Sequence, residues 1–531
     1  MPPAAMLRLI TAENFYSSNV VHFDNAKEID YPPELRGDTV KDLKQRVIRG
    51  GLAKIVSQAS SLLLRTGSLM IMARLLAPKD FGLVGMVTAM IGIFSVFRDF
   101  GLSAAVIQRS TITREQSSTL FWINLLVGAF LTLITLAMAP FVAAFYHEQR
   151  LIAVTAVLAL AFLFNAAGVQ HSAQLERQMR FVALSTVDLC SLLVSITIGI
   201  TMALHGFGYW SLVATPAISP LVYTISVWLI SGWIPGKPRR DAEVSSMLRF
   251  GGTLTLNGLI FYFASNFDKV LLGRFWGVTA LGIYGRAYQL INIPTDNLNS
   301  AVGGVAFAAL SRLQGEPRRF RSYFLTGYSL VLSLTVPITF ACCLFAPDMI
   351  RVFLGRQWGS AAPVFRLLAP TTLGFALLSP LGGLLASCGR VARNLWIILV
   401  LSPLLISGYA IGLHWGPKGV ACAYSTVIML AVIPLLAWGS HGTPVSLRDI
   451  LVTVRRPLLS GVVAAGVAFG LQFYYGHLLS PLPRLALGVT ILCAVYLLML
   501  MYVMKQKELY MEIIRGLTKP HTADEPFVIP V

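Results

Sequence analysis

The sequence is poor in charge. Of its 531 residues only 12% are charged and 56% are hydrophobic, with a mean hydropathy of +0.70. Soluble domains carry about 25% charged residues, so this composition excludes an ordinary soluble protein. The apolar runs are about twenty residues long, as helices that cross a bilayer require, and the ten-residue alternation typical of barrel strands is absent. The sequence therefore predicts an all-α polytopic membrane protein.

Several motifs that carry chemistry are also missing. There is no P-loop, no HExxH and no convincing nucleophile–base set, so we expect no catalytic residues, no enzyme activity and no cofactor. The six cysteines lie in apolar stretches without CxxC spacing or a histidine at ligand spacing, which argues against a metal site. The net charge of +18 has no soluble basic stripe behind it, so nucleic acid is not an expected partner.

Fourteen apolar segments are long enough to span the membrane. They predict two six-helix lobes, related by an axis along the membrane normal, followed by two C-terminal helices. The predicted domains are a mobile cytoplasmic tail over 1–46, an N-lobe over 47–236, a C-lobe over 237–440, helices 13 and 14 over 441–505, and a cytoplasmic tail over 506–531. The predicted spans are 53–76, 81–98, 117–140, 151–171, 182–204, 209–231, 247–267, 279–308, 322–346, 361–387, 394–414, 417–439, 457–476 and 483–504.

The distribution of Lys and Arg fixes the predicted orientation. With the N-terminus in the cytoplasm, the cytoplasmic segments from Lys41 onward hold 27 of these residues and the opposite side holds ten. This excess follows the positive-inside rule, so both termini are predicted to be cytoplasmic. Residues 1–46 have no continuous apolar segment of the kind a signal peptide needs. The connecting loops are short, which argues against a soluble catalytic domain outside the membrane.

A weak internal repeat supports the two-lobe prediction. The segment ARLLAPKDFGLVGM at 73–86 aligns with GRFWGVTALGIYGR at 273–286, at an offset of 200 residues. Arg74 matches Arg274, and two glycines also match. Each segment joins the first two spans of a six-span set. Because six is even, both sets enter the membrane from the same side, as in parallel repeats of transporters.

Polar residues follow one face of the first predicted span. Gln58, Ser61, Arg65 and Ser68 are spaced 3, 4 and 3 residues apart, so a helix places them together. An arginine at this depth costs about 2.5–3.5 kcal/mol on insertion scales and therefore faces protein, water or a ligand. For Ser61 and Ser68 taken singly, a hydrogen bond that holds helices together is the simpler interpretation. For Arg65 we favour a cavity that binds anionic substrate.

The eighth predicted span carries a second polar face. Arg286, Gln289, Asn292, Asp296 and Asn299 are spaced 3, 3, 4 and 3 residues apart. The two faces belong to opposite lobes and are predicted to line one water-filled cavity. For Gln289 and Asn299 taken singly, an interhelical hydrogen bond is the simpler interpretation. Arg286 lies nearer the membrane interface, so snorkelling is an equal alternative.

Two acids lie inside predicted spans. Asp188 and Asp296 are candidates for ion coupling, with H⁺ or Na⁺ as the ion, because buried carboxylates there can carry protons. Permanent pairing with an arginine is the alternative. Asp99 and Asp268 lie at predicted span ends, where helix capping or interfacial pairing is the simpler interpretation.

The sequence resembles a known family of transporters. RLLAPKDFGLVGM, DFGLSAAVIQ, NFDKVLLGRFWG, LGIYGRAYQLINIP, FLGRQWGSAAPVFRLLAP and SPLGGLLASCGR jointly resemble polysaccharide flippases of the Wzx type. These belong to the multidrug/oligosaccharidyl-lipid/polysaccharide exporter superfamily, and the likeness is closest to the colanic-acid and exopolysaccharide branch. It covers about residues 45–505. The family has no shared strict catalytic set, so no site residue is transferred from it.

The resemblance implies a function and partners. Such proteins move an undecaprenyl-pyrophosphate-linked oligosaccharide across the bacterial inner membrane by alternating access, for exopolysaccharide or lipopolysaccharide synthesis, in contact with membrane lipid, a polymerase and export machinery. Three alternatives remain open: an ion-coupled multidrug exporter, a membrane polysaccharide polymerase or ligase, and a structural membrane subunit. The short loops argue against the polymerase, and Arg65 is unexplained in a structural subunit.

Overall fold

The computed structural model describes residues 40–97, 113–238, 265–293, 313–475 and 479–504, together with positions 259, 262, 263, 310, 506 and 510. For residues 40–52 only the backbone is described. Within these ranges eleven helical segments are long and apolar enough to cross a membrane. One of them, Val391–Ser440, contains two helices joined by a short 3-10 turn. The prediction of a helical multi-pass membrane protein is confirmed, whereas the count of fourteen spans stays a prediction.

The chain divides into two compact units, Met1–Asn266 and Phe267–Val531. This division does not test the lobe limits predicted from the sequence. In unit 1 the first helix begins at Val40, earlier than the predicted span, so the basic residues before the apolar run continue the same helix. The helices of unit 1 are α1 (Val40–Leu75), α2 (Pro78–Ile91), α3 (Arg114–Tyr146), α4 (Leu151–Arg177), α5 (Phe181–Leu204) and α6 (Trp210–Ser231).

The LAPKDFG motif forms the start of α2. The backbone N–H of Ala77 donates to Asp80 Oδ2 at 3.1 Å, and Pro78 occupies the first turn, where its missing N–H costs nothing. A carboxylate in this turn also stabilises the positive end of the helix dipole. The motif that carries the family resemblance therefore has a structural role: it ends α1 and starts α2 within a few residues.

The helices of unit 2 repeat the pairing of unit 1. In unit 1, α3 packs on α4, α4 on α6, and α5 on α6; in unit 2, α8 packs on α10, α10 on α12, and α11 on α12. The last two helices pack on each other, and α13 also packs on α8. The helices are α7 (265–293), α8 (Pro317–Leu344), α9 (Ala346–Phe353), α10 (Ala361–Ser387), α11 (Val391–Gly412), α12 (Gly416–Ser440), α13 (Leu447–Tyr475) and α14 (Pro481–Leu498).

The turns that follow α4 and α10 are built alike. In unit 1 the N–H of Arg180 donates to Leu175 O at 2.9 Å; in unit 2 the N–H of Arg390 donates to Leu385 O at 2.7 Å. The residue before each arginine has a positive φ, +56° at Met179 and +70° at Gly389. This is the Schellman ending of a helix. The same turn at the same place in each unit supports the internal repeat read from the sequence.

The arginines of these turns also end a neighbouring helix. Arg180 donates to the carbonyl of Ile230 at the end of α6, at 3.2 Å. Arg390 donates to the carbonyl of His441, just after α12, at 2.7 Å, and Arg393 donates to the same carbonyl at 2.5 Å. A cation at a helix C-terminus satisfies carbonyls that have no partner within the helix. Part of the basic excess at this end of the spans is therefore structural.

The prediction of a loop between spans seven and eight is wrong in part. Residues 268–278 were expected to connect two spans, yet the structure is helical throughout 265–293. The break is confined to Gly277, whose φ is +77°, a conformation that glycine adopts without penalty. The side chain of Trp276, just before the break, donates to the carbonyl of Leu413 at 2.8 Å. The connection is thus shortened to one residue.

Candidate transport site

The polar face of α1 lies at the surface of unit 1. Arg65 and Gln58 are exposed, and Ser61 is half-buried. Next to this face Ser57 is buried and its hydroxyl donates to the carbonyl of Ser185 on α5, at 3.4 Å. One serine of α1 therefore holds the helix on α5, while the predicted binding face lies outside this contact.

Asp188 lies on the helix against which α1 packs. It is exposed on α5, and both Arg65 and Lys54 act on its carboxylate electrostatically. Separate roles were predicted for Arg65 and Asp188 from the sequence: substrate binding for Arg65 and ion coupling for Asp188. The structure places the two residues, which are 123 positions apart in the chain, in one charged cluster on α1 and α5.

This cluster cannot face hydrocarbon. Each charge at the bilayer centre costs about 2.5–3.5 kcal/mol on insertion scales, because hydrocarbon does not solvate it. Arg65 and Asp188 are both exposed, so contact with water, a ligand or other protein is strongly favoured over contact with lipid. An arginine held near an acid but still accessible is suited to an anionic group, since its guanidinium forms paired hydrogen bonds with phosphate oxygens.

The polar face predicted on the eighth span is described in part. Within unit 2, Arg286 lies on α7 and donates from Nη1 to Gln289 Oε1. Gln289 is exposed, whereas Arg286 and Asn292 are half-buried. Their spacing places them on one face of α7, as expected. The other two predicted residues of this face, Asp296 and Asn299, lie outside the described residues, and so does the proline at 294.

A buried carboxylate on α7 was not predicted from the sequence. Asp268 was assigned to a span end, with a capping or interfacial role, but it lies inside α7 and is 0% exposed. Its Oδ2 accepts a hydrogen bond from the hydroxyl of Tyr284 at 2.6 Å, and its Oδ1 accepts from the backbone N–H of Lys269 at 2.8 Å. Asp268 is therefore a buried residue within a helix, and its depth in the membrane stays a prediction.

Aromatic rings surround this carboxylate. The ammonium of Lys269 lies 4.5 Å from the centre of the Tyr288 ring. Tyr288 stacks on Tyr284, with centroids 6.1 Å apart, and on Tyr424 of α12, at 6.2 Å. Tyr409 of α11 contacts Tyr424 edge-on at 5.4 Å. One signal in the sequence pointed here: Asp268 and Lys269 are adjacent charges within the apolar segment NFDKVLLG. The tyrosines that complete the cluster are too far along the chain to be assigned to it from sequence.

A second missed cluster fixes the segment that follows α6. The ring of His171 stacks on Trp228 at 4.3 Å, and its Nε2 lies 3.3 Å from the carbonyl oxygen of Trp233. Trp122 donates from Nε1 to the carbonyl of Gly236 at 2.8 Å. These contacts hold residues 233–236 against α3 and α4. We assign this cluster a structural role.

A charged pair stabilises the connection between α3 and α4. Arg150 donates to Glu148 from Nε at 2.8 Å and from Nη2 at 2.7 Å, and its guanidinium carbon lies 6.0 Å from the centre of the Tyr209 ring. The hydrogen bonds from Arg150 hold the pKa of Glu148 below its usual value of 4.5. Both side chains are partly exposed, so the pair is a local clamp rather than a transport site.

The described helices define the class, a multi-pass helical membrane protein, and its fold is that of known transporters. The structure of the lipid II flippase MurJ in an inward closed conformation aligns with a TM-score of 0.71 at 14% identity, over 87% of this chain and 100% of that one. An inward-facing MATE-family multidrug transporter aligns with a TM-score of 0.58 at 15% identity, over 74% and 96%. At these identities the likeness concerns the fold.

The sequence defines the family. The model of the polysaccharide biosynthesis protein family matches residues 71–363, more than half of the chain, and the chain belongs to this family. The teichuronic acid biosynthesis protein TuaB of Bacillus subtilis is 27% identical over 424 residues, covering 76% of this chain and 85% of that protein. The lipopolysaccharide biosynthesis protein WzxC of Escherichia coli is 24% identical over 401 residues, covering 74% and 80%. The resemblance read from the motifs is confirmed.

Proposed function

We propose that this protein is a flippase for a polyprenyl-pyrophosphate-linked oligosaccharide. It carries the repeat unit across the bacterial inner membrane by alternating access, for the synthesis of exopolysaccharide or lipopolysaccharide. The observation that carries the proposal is the charged cluster of Arg65, Asp188 and Lys54 on the surface of unit 1. A membrane-embedded cation that remains exposed needs an anionic ligand or water, and a lipid pyrophosphate supplies the anion.

The relatives support the substrate class. They are named for the biosynthesis of teichuronic acid and of lipopolysaccharide, and the fold is similar to that of a lipid II flippase, with a TM-score of 0.71. We further propose fourteen spans with both termini in the cytoplasm, on the strength of the Lys and Arg distribution. An ion-coupled multidrug exporter is the alternative, because a MATE-family multidrug transporter also shares the fold. It aligns less closely than the lipid II flippase does.

In the proposed mechanism, Asp188 adjusts how tightly Arg65 binds the anionic substrate. With no substrate present, the carboxylate partly neutralises the two cations near it, which lowers the cost of holding them in the membrane. When a pyrophosphate arrives, Arg65 exchanges this attraction for direct hydrogen bonds to phosphate oxygens. Because Asp188 repels the same phosphate, the ligand is not held so tightly that release becomes slow. Lys54 adds a second positive charge to the cluster.

The test is removal of the gene from its native cell, complemented by variants. We expect complete lipid-linked repeat units to accumulate on the cytoplasmic leaflet, and wild-type protein to clear them. Arg65→Ala should restore less than about a tenth of the clearance, because a lost charge-assisted contact of about 1.5–3 kcal/mol corresponds to roughly tenfold or more. Arg65→Lys should restore more than Arg65→Ala.

The matched control is Arg318→Ala, an exposed arginine of unit 2 at the start of α8. It should clear the intermediates as the wild type does. Unpolymerised units that already face outward in the deletion strain would indicate a polymerase and contradict the proposal. Normal clearance by Arg65→Ala, at equal protein level, would remove Arg65 from the substrate site.

A further inference from the structure

Unit 2 contains two buried aspartates in its described part, and they differ in how they are neutralised. Asp348 is 2% exposed and receives both Nε and Nη2 of Arg484, the former at 2.8 Å. Asp268 is 0% exposed, and its hydrogen bonds come from a phenol and a backbone N–H. Asp348 is thus neutralised by a buried ion pair with Arg484. The two donors that the described residues supply to Asp268 are neutral, so no arginine holds it in the ionised form as Arg484 holds Asp348.

The surroundings of Asp268 favour a proton over a metal ion. Hard cations need about six oxygen ligands, yet both carboxylate oxygens of Asp268 already accept hydrogen bonds. Among the described residues, the ammonium of Lys269 acts on the carboxylate electrostatically, and it repels a divalent cation more strongly than a single proton. A proton needs no additional ligand, because it binds one carboxylate oxygen directly.

We propose that the Asp268 carboxyl of unit 2 is a proton-binding site whose occupancy is coupled to transport. The inference rests on the proposed transport function for the coupling, though not for the proton site itself. In the step, a proton from water forms an O–H bond with one oxygen of the carboxylate, and the group becomes neutral. Tyr284 keeps its own proton, and no electron is transferred.

Protonation changes the charge of the cluster by one unit. With Asp268 ionised, its negative charge offsets the ammonium of Lys269. With Asp268 neutral, this offset is lost, and unit 2 carries one more positive charge. A more positive unit attracts an anionic lipid pyrophosphate more strongly, so proton uptake and substrate uptake favour each other.

The tyrosines connect this charge change to the helices. Tyr284 and Tyr288 lie on α7, Tyr409 on α11 and Tyr424 on α12, and the last two act on Asp268 electrostatically. Together with Lys269, these are the titratable and charged groups that act on Asp268 within the part of the chain that the structure describes. Loss of the anion weakens the hydrogen bond that Tyr284 donates to it, since bonds to ionised acceptors are roughly twice as strong. The stacking between α7 and α12 through Tyr288 is next to this bond.

Infrared spectroscopy of the purified protein tests the proton site without a substrate. The wild type should show absorption from a protonated carboxyl that disappears on titration to alkaline pH. Asp268→Asn should abolish this band, and Asp449→Asn, a partly exposed acid beside Arg321, should keep it. In Tyr284→Phe the midpoint should move to higher pH by about one to two units, because a donor to the ionised form is lost. A band that survives in Asp268→Asn overturns the proposal.

Transport tests the coupling. In proteoliposomes that contain lipid-linked oligosaccharide, an imposed pH gradient should accelerate flipping by the wild type, and Asp268→Asn should lose this acceleration. Replacement of Na⁺ by K⁺ should leave the wild-type rate unchanged. An Asp268→Asn protein that still responds to the gradient contradicts the coupling while leaving the flippase intact. A wild type that shows the titrating band but flips no lipid contradicts the proposed function while leaving the proton site intact.

Discussion

At the scale of single residues, the structure separates exposed charges, to which we assign ligand binding, from charges that hold helices together. Arg65 has an acid nearby and stays exposed. Arg484 donates two hydrogen bonds, from Nε and Nη2, to the buried carboxylate of Asp348. Arg180 and Arg390 end helices through backbone carbonyls. The sequence shows only that each is an arginine near an apolar run.

The Arg484–Asp348 pair predicts a stability effect. Arg484→Ala leaves the carboxylate of Asp348, whose side chain is 3% exposed, without its cation. Removal of one partner of a buried pair costs about 3 kcal/mol or more. We expect a clearly lower unfolding midpoint for the detergent-solubilised protein. The double variant Arg484→Ala with Asp348→Ala should recover part of the loss, and equal losses in the single and double variants would contradict this account.

The Glu148–Arg150 pair predicts a small pH effect. The folded-state pKa of Glu148 is lowered below 4.5 by the hydrogen bonds from Arg150. Its contribution to stability is therefore fully present above pH 4.5 and is lost as the pH falls through the folded-state pKa. Because both side chains are partly exposed, the contribution is below about 1 kcal/mol. The unfolding midpoints of wild type and Glu148→Gln should differ at neutral pH and converge in acid; a constant difference would contradict the assignment.

At the scale of elements, the two units use the same helix ending with different residues. Position C′ of the Schellman turn holds Met179 after α4 and Gly389 after α10, and both have positive φ. Only glycine adopts this conformation without a steric penalty. The hydrogen bonds of the turn, together with the arginine that follows it, hold Met179 in this strained backbone conformation.

This difference predicts opposite effects of reciprocal substitutions. Met179→Gly should stabilise the protein by about 1 kcal/mol, and Gly389→Ala should destabilise it by about the same amount, because the penalty is removed in one case and added in the other. Met179 is 38% exposed, so little packing is lost. Thermal unfolding in detergent is the measurement. A destabilised Met179→Gly variant would show that the methionine side chain matters more than its backbone.

The sequence allowed the elements to be predicted well and their partners poorly. Hydropathy and helical spacing predict the membrane helices and the polar face of α1, since both depend on residues close in the chain. The proximity of Arg65 to Asp188 and of Asp268 to Tyr424 depends on packing between helices that are distant in sequence. The helical structure of residues 268–278 was missed because the charges in this segment resemble those of a loop. Periodicity shows which face is polar but not what lies opposite.

At the scale of the whole molecule, two units with the same helix pairing carry different chemistry. Unit 1 presents an exposed charged cluster on α1 and α5, whereas unit 2 encloses Asp268 among tyrosines. We assign anion binding to the first and proton binding to the second. This division accounts for a transporter that belongs to the polysaccharide biosynthesis family and whose polar residues in the membrane are otherwise costly.

The most direct test of the central claim asks whether position 65 is in contact with water. In a variant whose six native cysteines are replaced, Arg65→Cys should react with a charged, membrane-impermeant thiol reagent. Leu63→Cys is the matched control, because Leu63 is 74% exposed but lies on nearly the opposite side of α1 and is expected to face lipid. Reaction at 65 with protection at 63 is the predicted result. An unreactive cysteine at 65 beside a reactive one at 63 would contradict a hydrated, anion-binding surface around Arg65.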